Sequence, residues 1–229
     1  MELPVPPQFR FEPDVSSADW FAAALKPWGE DRIRLWSFLP DTFEAYARFP
    51  NHVEHEVEAD IDEARLRELA RVLAAYTETP DSCFVAAWVG WGSWGPGSNA
   101  VLTAVRRPPR RRRRRFIFKG TKLWREMRAG ARASLEAQRR LNALPQLRTE
   151  SREYFLFTSK VGDVPSFAIG DFPQTPSIWW PDDRAWCVAT EVDGYDSYVG
   201  GSRACVDAVL GSELLRATPI SPDAPISVG

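Results

Sequence analysis

The residues best equipped for chemistry lie close together, between Pro176 and Ser202. The stretch P-S-I-W-W-P-D-D-R-A-W-C-V-A-T-E-V-D-G-Y-D-S-Y-V-G-G-S holds three Trp, two Tyr, five acids and one Arg. Asp182, Asp183, Glu191, Asp193 and Asp196 would offer oxygen ligands of the kind Mg²⁺ or Ca²⁺ takes, if a hairpin brought them to one end. Trp179, Trp180, Asp182, Asp183 and Arg184 read as a loop leading into a strand. Trp and Arg are the residue types that most often anchor interfaces, so that loop is a candidate recognition surface, extended by Glu191, Asp193 and Tyr198 on the following hairpin. The bland reading competes with it: the rings seal a core and Arg184 pairs with a neighbouring Asp.

Other chemistries find little footing. Cys83, Cys187 and Cys205 have no C-x-x-C spacing, and only His52 and His55 could join them, so no zinc site is expected. Those two histidines lie in the acidic run N-H-V-E-H-E-V-E and no G-x-S-x-G accompanies them, which leaves a Ser/His/Asp relay without support. The loop G-W-G-S-W-G-P-G from Gly90 lacks the Lys-Ser/Thr that a phosphate-cradling loop needs. No cofactor is implied. No basic leader with an apolar run opens the sequence, and no apolar run reaches the ~20 residues that span a bilayer, so the expectation is a cytoplasmic chain without membrane contact.

The net charge of −2 hides segregation. Asp41 to Asp81 carries eleven acids and four Arg, Arg106 to Arg140 carries fifteen Lys/Arg and two Glu, and Glu150 onward carries twelve acids and five bases. The run from Arg106 to Arg115, with Arg110, Arg111, Arg112, Arg113, Arg114 and Arg115 in succession, cannot bury itself. It could neutralise phosphates without reading sequence, with Phe116, Phe118 and Trp124 available to stack on bases. Equally, it could be a solvated insert or lie against the chain's own acidic region.

These residues need elements to position them. Period-2 alternation suggests strands at Arg32–Leu39 and Thr42–Phe49, the second also open to a helical reading. Cys83–Gly90 and Ala185–Glu191 are apolar on both faces, as strands covered on both sides are. Tyr154–Phe157 is a further strand. Asp193-Gly194 favours a tight hairpin, with Tyr198–Gly201 as its partner strand. A helix over Ile61–Tyr76 opens on Asp60 and Glu63 as a reciprocal cap and shows Leu66, Leu69, Leu73 and Tyr76 as one stripe. Ser202 can cap a helix running to Leu210. Thr121–Leu144 reads as a basic helix, and Ser17–Leu25 as one or two helical turns. The sum is one α/β (α+β) domain over 1–229, with a mixed or antiparallel central sheet, flanking helices and a basic helical insert over 98–148.

Three blocks resemble a family of uncharacterised proteins of actinobacteria: L-P-D-T-F-E-A-Y-A-R-F-P from Leu39, T-P-D-S-C-F-V-A-A-W-V-G-W-G from Thr79, and W-W-P-D-D-R-A-W-C-V-A-T-E-V-D from Trp179 with Y-V-G-G-S from Tyr198. The resemblance covers less than half the chain, and the segment from about Gly95 to Arg148 departs from it. It implies a bacterial cytosolic protein and brings no activity, cofactor or catalytic residue. The leading expectation is therefore a non-catalytic binding protein for an unknown protein or small molecule. The alternatives are an enzyme using the acids of 182–196, with or without a divalent metal, and a nucleic-acid-associated protein using the Arg run.

Overall fold

A run that is apolar on both faces can only be stable as a strand covered on both sides, and three such runs build the middle of the sheet. They are β3 (Cys83–Trp88), β8 (Ile178–Pro181) and β9 (Trp186–Thr190). The computed structural model describes residues 3–27, 33–51, 62–91, 94, 136, 139–192 and 194–226. The chain divides into two units, Met1–Pro4 with Gly90–Leu144, and Val5–Val89 with Pro145–Gly229. In the first unit residues 139–142 are helical, within the basic helix expected there. Arg110–Arg115 and most of the 98–148 insert lie outside the described residues.

The second unit is α+β. Its remaining strands are β1 (Arg10–Phe11), β2 (Ala45–Pro50), β4 (Leu147–Arg148), β5 (Glu153–Ser159), β6 (Ala168–Ile169), β7 (Phe172–Pro173), β10 (Asp196–Gly201) and β11 (Thr218–Pro219). Among the described residues, nine of the eleven strands form one sheet in the order β1-β5-β3-β8-β9-β10-β2-β11, with β4 also on β5, and β6 pairs with β7 separately. Every pairing among the described residues is antiparallel, which favours the antiparallel over the mixed sheet.

One face of the sheet carries α2 (Glu63–Ala74) and α3 (Arg203–Leu210). The buried side of α2 includes Leu66, Leu69 and Leu73, and the Leu73 carbonyl accepts the indole N–H of Trp186 at 2.9 Å. Ser202 caps α3 by accepting the Cys205 N–H, as its sequence position suggests. The other face is covered by α1 (Asp19–Ala24), the 3-10 turn Leu35–Ser37 and the C-terminal tail. The tail is stitched down by backbone bonds from Leu35 to Ala224, Trp36 to Pro222, Ile220 to Tyr46 and Ile226 to Ile33.

A row of residues on this second face shows how the strands accept that cover. Phe84 pairs with Trp180, and Cys187, Gly200 and Tyr46 continue the row across β9, β10 and β2. Phe43 lies over Gly200, where a Cβ would come within 2.6 Å of the ring, so only glycine leaves room for it. Tyr46 fixes that segment: its hydroxyl donates to the Pro40 carbonyl and accepts the Phe43 N–H, each at 2.9 Å. Burial pushes the Tyr46 phenol up to about 12.

Three expectations are corrected. Residues 35–37 form a 3-10 turn rather than a strand, because the Leu35 and Trp36 amides bond to the tail and not to a neighbouring strand. The helix cap is Asp62, whose Oδ1 accepts the N–H groups of Ala64 and Arg65; Asp60 lies outside the described residues. Glu63 is then the first helical residue, and it bonds forward to Arg67 instead of back to the cap. Finally, Trp179 and Trp180 belong to strand β8 and not to a loop, because each ring finds an apolar layer on its own side of the sheet.

Candidate functional site

The short strand β8 settles where its two rings go. Trp179 and Trp180 are both wholly buried, on opposite faces. Trp180 stacks between Phe21 at 5.8 Å and Phe84 at 5.6 Å. Trp179 meets Trp186 edge-on at 5.0 Å. Neither ring is available to a partner at the surface, which corrects their assignment to a recognition loop and bears out the core-sealing alternative. Tyr198, on β10, is buried too, and burial raises its phenol pKa, with the nearby Asp196 adding to the effect.

What remains exposed is the turn between β8 and β9. Asp183 organises it. Its Oδ2 accepts the Thr77 hydroxyl at 2.8 Å and the Glu78 N–H at 2.6 Å, while Oδ1 accepts the Ala185 N–H at 3.0 Å. The Asp183 N–H in turn donates to Thr79 Oγ1 at 3.1 Å. Burial pushes this carboxyl up, but the donors from Ala185, Glu78, Thr77 and Thr79 outweigh it and hold the pKa below the usual value. Asp183 thus clamps the hairpin to the turn after α2. Arg184 does not pair with it as the sequence suggested. Its backbone sits in the left-handed region at φ 57, and its guanidinium lies 5.4 Å above the ring of half-buried Trp20. Asp182 is exposed beside it. An open groove of about 400 Å³ runs past Asp183 and Ala185 along Ala75, Tyr76, Thr77 and Glu78.

Glu191 and Asp196 do not join this turn. Asp182 and Asp183 precede β9, whereas Glu191 and Asp196 follow it, and a five-residue strand separates the two ends by roughly 17 Å. Asp193 lies outside the described residues. Glu191 is buried and paired with Arg152, whose guanidinium lies 4.9 Å over Trp88. Asp196 has its pKa raised by burial, with Arg48 opposing. Among the described residues no group of three His, Cys, Asp or Glu stands together to hold a metal, so the expected convergence of the 182–196 acids is not found.

The three thiols are buried, and burial raises all of them, Cys205 to about 12, which removes them as thiolate nucleophiles at neutral pH. His52 and His55 lie outside the described residues. Among those described, no helix is long and apolar enough to cross a membrane. Comparison with protein-family models, curated proteins and solved structures finds no match.

Sequence reasoning missed Trp20, which supplies the ring under Arg184, and Arg152, which holds Glu191. Trp20 carried a weak signal as an aromatic within a short amphipathic helix. Arg152 carried none, since an Arg between Glu150 and Glu153 reads as surface.

Proposed function

We propose that the protein is a non-catalytic binding protein and that the β8–β9 turn is its recognition surface, built from Asp182, Arg184 and Trp20 with the adjoining groove. One observation carries the reading: exposed Arg184 is held at φ 57 and laid over Trp20. A left-handed arginine costs roughly 1–2 kcal/mol of local strain, and such strain concentrates where a side chain must be aimed. The Asp183 clamp orders the turn before any partner arrives, which reduces the entropy lost on binding. Arg over an aromatic ring is also a common anchor pair at protein interfaces. The partner class is a protein or peptide with an acidic or aromatic contact for the guanidinium.

Arg184→Gly tests this, because glycine relieves the backbone while deleting the side chain. The expected result is a melting temperature at or above that of the parent together with loss of a partner that the parent retains in affinity capture. Equal capture by parent and variant would sink the proposal.

A further inference from the structure

The groove beside the β8–β9 turn has a definite electrical sign. It encloses about 400 Å³ between Tyr76, Thr77 and Glu78, which follow α2, and Asp183 and Ala185 of the turn. Asp183 stays ionised at neutral pH, yet every bond its carboxylate accepts comes from a neutral donor: the Thr77 hydroxyl and the Glu78 and Ala185 N–H groups. No cation cancels its charge. Glu78 is exposed, and among the described residues its carboxylate has no hydrogen bond or ion pair. The groove also begins where α2 ends, and a helix C-terminus carries a partial negative charge. Arg71 is the basic residue of that last turn, but its Nε and Nη2 both donate to Glu68. Arg184 does not offset these charges either, because its guanidinium lies over Trp20. A cleft lined by one sign of charge concentrates ligands of the other sign.

The cation that fits is organic. A divalent metal needs six or more oxygens around one point, and no group of three His, Cys, Asp or Glu stands together among the described residues. Half-buried Tyr76 instead offers an aromatic wall. A long basic side chain lays its alkyl stem on such a ring and keeps its charged head at the polar rim.

On the reading of the β8–β9 turn as a recognition surface, we infer that this groove seats one lysine or arginine side chain of the partner. The stem packs on Tyr76 and the cation sits by Glu78 and Asp183. Arg184 takes a neighbouring group of the same partner, so the surface selects a segment with a basic residue beside that contact. Asp182, exposed on the same turn, reinforces the preference for a cation.

NMR titration of the full chain with Nα-acetyl-lysine amide tests the inference. This probe should shift the Glu78 and Ala185 amide signals saturably, with a Kd on the order of millimolar that rises with added salt. The Nε-acetylated form of the probe, with the same stem and no charge, should shift neither. Glu78→Gln keeps the backbone N–H that Asp183 accepts. It should raise the Kd about three- to fivefold, the size of one exposed ion pair, at an unchanged melting temperature. Absence of a saturable shift in the parent chain overturns the inference, as do equal shifts by the two probes or an unchanged Kd in Glu78→Gln. Failure of the recognition reading shows elsewhere, as undiminished partner capture by Arg184→Gly, a variant that leaves Glu78 and Asp183 in place.

Discussion

Arg65 sits in the first turn of α2 with its side chain wholly buried. Its Nη1 donates to the Pro50 carbonyl, but Nε and Nη2 have no partner among the described residues. Burial lowers its pKa, and the positive charge of Arg216 lowers it further, against the opposing pull of Asp62. A buried cation this poorly compensated costs more than its one bond returns. Replacement by Met keeps the length of the stem and removes the charge. Arg65→Met is therefore expected to stabilise the fold by about 1–3 kcal/mol, read as a higher denaturant midpoint at unchanged slope. A lower midpoint would mean that the guanidinium is paired. Nothing in R-L-R-E-L foretold this: Arg65 lies one residue off the Leu66–Leu69–Leu73 stripe, where a charge normally reaches solvent. The tryptophans were half legible. Their abundance suggested a core, but W-W followed by P-D-D-R looks like a loop until the flanking layers are known.

At the scale of elements, hairpins and capped helices were readable because their determinants are local. β9 and β10 pair antiparallel as the expected hairpin, and Ser202 caps α3; Asp193 itself lies outside the described residues. The segment around Leu35 was not readable, because its amides are satisfied by a tail nearly two hundred residues away. Asp183 lies between these cases: the carboxylate is local to its turn, but Thr77 and Glu78 are distant in sequence. Its folded pKa is depressed, so it contributes stability above the unfolded value of about 3.9, and that contribution is lost as pH falls through the lower folded pKa. Asp183→Ala is expected to cost about 1–2 kcal/mol at pH 7, since several charge-assisted bonds go but the site is partly wet. The gap in melting temperature between parent and variant should narrow only below about pH 4. A gap that is constant down to strong acid would show that the carboxylate charge is not what clamps the turn.

At the scale of the whole molecule, the outermost strands are short, and the chain's ends serve as covers. β1 and β4 guard one edge of the sheet, and β11 guards the other. Unpaired edges expose backbone donors and acceptors, so these two-residue strands do more than their length suggests. The tail carries this furthest. After β11 pairs with Arg48 and Ala47, it turns across the second face, buries Ile226 and supplies carbonyls to Leu35 and Trp36. Arg34 returns the contact by donating to the Asp223 carbonyl at 2.5 Å. Deleting residues 218–229 would strip that network and expose the β2 edge together with Leu35, Phe38 and Leu39. Losing several backbone bonds and the contacts of buried Ile226 and half-buried Ile220 predicts a destabilisation of about 3 kcal/mol or more. Limited proteolysis should then cut first within 33–39, the segment whose amides lose their acceptors. A truncated chain that melts with the parent and resists cleavage there would mean that α1 and the sheet hold the 33–39 segment without the tail.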